Sequence, residues 1–205
     1  TGNNIANLCV TCHQGRESTA SVNKTIAGQA PDTVNPKMPF VHVHYYPAGA
    51  TLFGTQAKVG YEYTGKTYSG RFGHVDGMNA CTNCHDPHRG EVQVNKCGSC
   101  HDGVQTLADT RRIRMSSAGD WDGNGRIEGV PSEVENLKRD LYAAIQQYAR
   151  TVSGTPVAFT PDGYPYWYAD TNGNGKIDKE EFRPDNGFKA FTPRLQQAIY
   201  NYTFV

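Results

Sequence analysis

Two thiols three residues apart, followed at once by an imidazole, occur three times in this 205-residue chain: Cys9-Val10-Thr11-Cys12-His13, Cys81-Thr82-Asn83-Cys84-His85 and Cys97-Gly98-Ser99-Cys100-His101. These motifs take all six cysteines and three of the seven histidines. A bare Cys-x-x-Cys pair fits a redox disulfide, a zinc knuckle or haem attachment alike. The His that follows selects among them: thiols at i and i+3 add across the two vinyl groups of a haem, and the next residue sits under the iron. At the chain's own His frequency, a His after all three pairs by chance has odds of roughly 4 in 100,000. The spacing predicts three covalent c-type haems. No cysteine is left over for a disulfide, so the compartment is read from haem alone, which is attached outside the bacterial or archaeal cytoplasm.

Each such iron also takes a sixth ligand. Four histidines lie outside the motifs, His42, His44, His74 and His88, and three irons need three of them. Met38, Met78 and Met115 are the alternative, but the His supply fits a bis-His scheme. That scheme keeps the potential lower than His/Met ligation and leaves no open iron position for a substrate. It argues for an electron carrier, not an enzyme. Pro87 turns the chain between His85 and His88, so His88 is expected to serve a neighbouring haem. His74, just after Gly73 and seven residues before Cys81, is a second expected ligand. His42 and His44 fall on one face of an extended segment; the count requires one of them, and both serve only if they address different haems. Cys81 and Cys97 are 16 residues apart, which makes the second and third haems neighbours. The first motif either packs against that pair or stands at one end.

A second chemistry is carried by oxygen. The segment Asp170 to Glu181 matches the twelve-residue EF-hand calcium loop. Asp170, Asn172, Asn174 and Asp178 hold positions 1, 3, 5 and 9, and the Lys176 carbonyl holds position 7. Gly175 supplies the sharp turn, Ile177 the short strand contact, and Glu181 the bidentate position 12. Asp120, Asp122, Asn124, the Arg126 carbonyl and Glu128 repeat the pattern, with Pro131 at position 12. Glu133 or Glu135 is the candidate for the missing carboxylate. The two loops are spaced so that they can face each other as paired EF loops do. The segment YPYWYA before the second loop reads as extended, and Pro184 cuts its exit helix short, so the calcium is expected to be structural and not a sensor switch.

The elements that position these groups divide by content. Every Cys and His precedes residue 104. The expected organisation is a trihaem cytochrome c domain over 1–103 and a haem-free helical domain with two calcium-type loops over 104–205. Hydrophobic content is 37%, with 22 Gly and 11 Pro, so a side-chain core is thin unless haem macrocycles form part of it. Twenty basic and twenty acidic residues cancel, which leaves neither a nucleic-acid footprint nor an acidic tail. The first half is rich in turn formers such as Tyr46-Pro47-Ala48-Gly49, and aromatics at spacing two predict a short exposed hairpin over 57–72. In the second half the spacing predicts a helix over 132–152, with Ser132 and Glu135 as capping box. Its buried stripe is Val134, Leu137, Leu141, Ile145, Tyr148 and Val152. A shorter helix is predicted over 193–202, with Pro193 in its first turn, and a weaker one over 104–115. Tyr164, Tyr166, Trp167, Tyr168, Tyr200, Tyr202 and Phe204 are read as core or subunit packing in preference to an electron relay. The fold class is therefore a mostly irregular/α multihaem c-type cytochrome. Its haem-packed N-terminal half has little regular structure, and its C-terminal half is helical with EF-hand-like calcium loops. No run of 18 apolar residues and no charged-then-apolar leader is found; Thr1-Gly2 reads as the mature terminus of a secreted chain.

With the haem motifs, His44-Tyr45-Tyr46, Cys84-His85-Asp86-Pro87-His88 and the asparagine-rich loops in view, the chain resembles secreted multihaem c-type cytochromes of metal-reducing microbes. Segments LCVTCHQGRES, HYYPAGATLFG, YEYTGKTYSGRF and FTPRLQQAIYNY are similar to that group, so the resemblance spans nearly the whole chain. It implies His44, His74 and His88 as distal ligands and leaves His42 as the spare. It implies that similar proteins run on beyond Phe204-Val205. It also implies electron transfer from the cell envelope to outside acceptors and other redox proteins, with a secreted or cell-surface location. Some related cytochromes polymerise into haem-lined filaments, so a homo-oligomer is expected. The alternative is a monomeric periplasmic shuttle. A polyhaem reductase is less favoured, because it needs a haem with a free axial site. An adhesion module that merely carries haem is the least favoured.

Overall fold

The chain is seen here as a computed structural model that describes residues 4–44, 46–114 and 119–205, with side chains from Leu8 onward. Thr1-Gly2, Tyr45 and the candidate axial ligand Met115 lie outside the described residues. In chain order the helices are α1 (Asn4–His13), α2 (Thr19–Ile26), α3 (Ala48–Phe53), α4 (Cys81–Cys84), α5 (Val94–Cys97), α6 (Val130–Tyr148) and α7 (Pro193–Phe204). Strands β1 (Val157–Phe159) and β2 (Trp167–Ala169) pair antiparallel, with Ala158 opposite Tyr168. About 39% of the chain is helical and the sheet is small, so most of the backbone is irregular, as expected.

Helix α6 begins two residues earlier than its sequence signals suggest. Gly129 enters it in an extended conformation and its carbonyl takes the N–H groups of Ser132 and Glu133, while Pro131 sits in the first turn. Ser132 and Glu135 are therefore inside the helix and form no capping box; Glu135 instead meets Arg111 at 2.5 Å. The helix widens into a π-type turn over Ala149–Ser153 and stops at Gly154, in the left-handed region that favours glycine. Of its apolar stripe only Ile145 is fully buried, while Val134, Leu141 and Tyr148 are half-buried. Leu137 and Val152 stay 45% and 43% exposed, and the buried position of the first turn is a carboxylate, Glu133.

Helix α7 starts where Thr192 Oγ1 accepts the Leu195 N–H at 3.1 Å, and Pro193 follows. One face buries Leu195 and Ile199 against Ile145, Ala149, Val157, Trp167, Phe188, Phe191 and Met38. Each such Leu or Ile side chain contributes roughly 1.5–3 kcal/mol. The other face carries Tyr200 into a second cluster with Val22, Val41, Val43, Ala50, Val59 and Tyr61. Tyr200 Oη donates to the Val59 carbonyl at 2.7 Å, and the Asn201 amide grips both the N–H and the C=O of Tyr61 (2.7 and 3.0 Å). Residues 19–61 of the Cys-rich half are thereby packed on the last helix of the chain. The aromatic residues expected to pack do so at Trp167, Tyr168 and Tyr200, whereas Tyr164 is 72% exposed.

Two sequence expectations are corrected. Residues 57–72 form no hairpin, because their partner is α3 and not each other. Phe72 N–H donates to Leu52 and Thr55 N–H to Ser69 (2.8 and 3.0 Å), and of the aromatics only Tyr61 is buried. The helix over 104–115 shrinks to a 3-10 stretch at Ala108–Arg112. There the Asp109 carboxylate accepts the N–H groups of Gln105 and Thr106 (3.1 and 2.8 Å), a local bond that competes with helix formation.

Candidate functional site

Each Cys-x-x-Cys pair is wound on a helical turn, which brings positions i and i+3 to one side. In the first motif both cysteines ride on α1, and His13 is its last residue. In the second the motif is the helix itself: Asn83 Oδ1 accepts the Ala80 N–H (2.8 Å) and the His85 N–H returns to the Cys81 carbonyl (2.8 Å). In the third, α5 ends at Cys97, whose carbonyl accepts from Cys100 and His101 (3.1 and 2.9 Å) and carries the turn onward. No two of the six cysteines are joined in a disulfide. Helix α1 packs on α4, and α4 on α5. Burial pushes the Cys81 thiol up, and the Cys9 thiol beside it adds to the shift. The first motif thus packs on the second and the second on the third, a row with the first motif at one end.

The histidines are arranged by backbone groups. His13 Nδ1 lies 2.9 Å from the Tyr46 carbonyl. An acceptor there requires the Nδ1–H tautomer, which leaves Nε2 as the nitrogen able to hold a metal. The rings of His74 and His101 have centroids 6.2 Å apart, tilted by 49°. A metal about 2 Å from each of two imidazole nitrogens spaces the two ring centroids by roughly 6 Å. His88 is presented by an Asx turn: Asp86 Oδ1 accepts the N–H groups of His88 and Arg89 (2.8 and 3.2 Å), and these bonds hold the Asp86 carboxyl below the usual range. His44 is exposed and has a positive φ of 75°, and its N–H donates to His42 Nδ1 at 2.9 Å. His42 is half-buried and stacked on Tyr166, with centroids 5.1 Å apart; burial and then the neighbouring His44 lower its pKa. The extended segment thus buries Val41 and Val43 and leaves His42 half-buried and His44 exposed.

The two oxygen-rich loops are closed by matching hydrogen bonds. In the second, Asp170 accepts from the N–H groups of Asn174 and Gly175 (3.1 and 2.8 Å), and Asn174 Oδ1 from Lys176 (2.9 Å). In the first, Asp120 accepts from Asn124 and Gly125 (3.2 and 2.7 Å), and Asn124 Oδ1 from Arg126 (2.8 Å). The ninth positions also correspond: Asn174 Nδ2 donates to Asp178 and Asn124 Nδ2 to Glu128 (2.8 and 2.9 Å). Asn172 Nδ2 joins Asp178 at 2.8 Å.

Glu181 folds back onto the N–H groups of Thr171, Asn172 and Asp178 (2.6, 3.2 and 3.2 Å). In the first loop Glu133 fills this place, accepting from Trp121, Asp122 and Glu128 (2.9, 3.1 and 3.1 Å). Oxygens of Asp120, Asp122 and Glu133 come within 4.8 Å of one another. Burial would raise the Glu133 carboxyl, but these N–H groups and the Arg114 guanidinium (2.5 Å) outweigh it and hold its pKa low. The same balance, without an arginine, lowers Glu181.

An all-oxygen donor set of this kind suits a hard cation. Helix α6 touches both loops: Glu133 and Asn136 reach the first (Asn136 Nδ2 to Asp122 at 2.6 Å), while Gln146 Nε2 donates to the Gly175 carbonyl of the second at 2.9 Å. Asn136 escaped the sequence reading although it lies one turn after Glu133. Nothing in the sequence marks Arg114.

No protein-family model and no solved structure matches the chain. It is 28% identical over 198 residues to the C-type polyhaem cytochrome OmcB of Geobacter sulfurreducens, which covers 89% of this chain and 24% of OmcB. It is 26% identical over 200 residues to OmcC of the same species, with 89% and 23% covered. The chain spans about a quarter of the length of these curated relatives. Among the described residues no helix is long and apolar enough to cross a membrane. The three helical Cys-x-x-Cys-His turns thus stand in a chain similar over most of its length to C-type polyhaem cytochromes of Geobacter sulfurreducens.

Proposed function

We propose that the chain is an electron carrier with three bis-His c-type haems and no catalytic iron. The haems are attached at Cys9 and Cys12, Cys81 and Cys84, and Cys97 and Cys100. His13, His85 and His101 are the proximal ligands, and His44, His74 and His88 the distal ones. The haem group, when bound, supplies reversible one-electron chemistry at a potential set by its axial ligands. The chain's own part is to hold two imidazoles per iron and keep the attachment turns adjacent. The observation that carries this reading is the close approach of the His74 and His101 rings, at a centroid spacing that accommodates a shared metal. On this reading His74 serves the iron of the third motif. The Nδ1 bond from His13 to the Tyr46 carbonyl adds the orientation expected of a proximal ligand.

Residues 1–103 carry the redox groups, and residues 104–205 act as scaffold with a structural calcium ion in each oxygen-rich loop. The acceptors are extracellular, the chain is secreted or at the cell surface, and copies associate into a polymeric filament. Leu8, Tyr46, Phe72 and Val75 are 74, 81, 54 and 56% exposed, apolar side chains that haem edges or a second copy would cover. Net charge of zero opposes such association with no long-range repulsion. A monomeric periplasmic shuttle is the alternative.

Low-temperature spin resonance and near-infrared spectra of the haem-loaded protein test the ligation. Three low-spin bis-His haems per chain are expected, and His74→Ala should turn one of them high-spin; a high-spin haem in the unaltered protein overturns the scheme. Negative-stain microscopy should show polymers, whereas light scattering at monomer mass would favour the shuttle.

A further inference from the structure

The four histidines outside the motifs exceed the three vacancies, and His42 has no role in the ligand scheme. Its surroundings are nevertheless built. The ring lies against the face of Tyr166 (5.1 Å, 28°) and meets the edge of Phe40 (5.8 Å, 62°). Both walls are anchored in the second half of the chain. Phe40 stacks on Phe191 at 6.3 Å, and the Tyr166 backbone is tied on both sides, N–H to the Gly163 carbonyl (2.9 Å) and C=O to the Thr160 N–H (2.8 Å). From this slot His42 Nδ1 accepts the backbone N–H of His44, two residues on, at 2.9 Å. That is the bond an Asn or Asp side chain makes in an Asx turn. It closes at a residue whose φ is +75°, outside the region that most side chains favour.

We propose that His42 is a positioning residue: an imidazole standing in for an Asx side chain, which fixes the backbone of His44 and so aims the His44 ring at an iron. The inference rests on the reading of His44 as a distal ligand. It also gives the haem-free half a part in electron transfer, since Tyr166 directly and Phe191 through Phe40 hold the slot that sets the ligand.

Two substitutions separate the parts of the interaction. His42→Asn keeps an acceptor for the N–H two residues on and loses the stacked ring, whereas His42→Phe keeps the ring and loses the acceptor. In haem-loaded protein, spin resonance should show His44→Ala converting one haem of three to high spin. His42→Phe should convert that same haem in part and shift its couple in a redox titration, and His42→Asn should leave the low-spin spectrum intact. Tyr166→Ala, which opens the slot without touching the acceptor, should shift the same couple if His42→Phe does not fold; circular dichroism checks the fold of each variant. If His44→Ala leaves all haems low-spin, the underlying ligand assignment fails. If His44→Ala converts a haem but His42→Phe and Tyr166→Ala change neither spin state nor potential, the positioning role fails. If His42→Asn loses a low-spin haem as completely as His44→Ala, His42 is itself a ligand and the proposal is overturned.

Discussion

Glu133 and Glu181 occupy the same place in two different loops. Each turns its carboxylate back onto the N–H groups at the second, third and ninth positions of the loop it closes. Glu181 does so from the twelfth position and Glu133 from the fourteenth, after Pro131 and within the first turn of α6. The two extra residues let a helix deliver the closing carboxylate where the loop itself has a proline.

Glu181→Gln should remove the calcium-dependent part of stability and, in chelator, weaken the N–H bonds that the carboxylate accepts. With free calcium a hundredfold above its dissociation constant, one site contributes about 2.7 kcal/mol, or roughly 5–10 °C in a chain of this size. Glu133→Gln should also lower the melting temperature in chelator, because it leaves the Arg114 guanidinium, whose side chain is 10% exposed, without its carboxylate. Calorimetry of both variants with calcium and with chelator checks this; melting curves that ignore chelator, with no metal by elemental analysis, would sink the calcium reading.

The link between residue 32 and α7 should show in acid. Asp32 accepts from Arg194 (2.6 and 3.1 Å) and from Tyr148 (2.7 Å), which lowers its pKa from 3.8 to about 2. A carboxyl with a depressed folded pKa adds stability that is fully present above pH 3.8 and lost as the pH falls toward 2. Asp32→Asn should be less stable than the unaltered chain at neutral pH, with the gap closing across that window. A gap that stays constant from pH 5 to pH 2 in denaturant titrations would contradict it.

Tyr200→Phe tests the seam between the halves. Losing the hydroxyl strands the Val59 carbonyl in a buried site, at a cost of about 1–3 kcal/mol. Urea unfolding should show the midpoint fall with the slope unchanged.

Gly54→Ala should act on a histidine twenty residues away. Gly54 has φ +52°, and an added Cβ would stand 2.4 Å from the Gly70 carbonyl oxygen and 2.5 Å from that of Ser69. Those residues lead into His74. The substitution should cost on the order of 1–3 kcal/mol in backbone strain and, by displacing the segment, reduce the low-spin signal that His74→Ala removes. Spin resonance beside a thermal melt reads both effects; a low-spin spectrum like that of the unaltered protein would show that the segment does not depend on α3.

Much of the site was legible in one dimension because its chemistry is local. Cys81, Cys84 and His85 lie within five residues, and a single helical turn brings the thiols to one side wherever the turn is placed. The oxygen-rich loops are local too: Asp120 and Asp170 bond to N–H groups four and five residues ahead, so the spacing of Asp, Asn and Gly carries the geometry. Helix α7 was readable for the same reason, from Pro193 and the 3.6-residue period after it. What needed the tertiary structure were the relations across long sequence separations, where no periodicity carries information. The pairing of His74 with His101, the stacking of His42 on Tyr166 and the grip of Tyr200 on Val59 each join segments whose neighbours are chosen by packing. The buried stripe of α6 failed at Leu137 for that reason. Its first turn faces a loop that wants the Glu133 carboxylate, and hydrophobicity alone cannot see that demand.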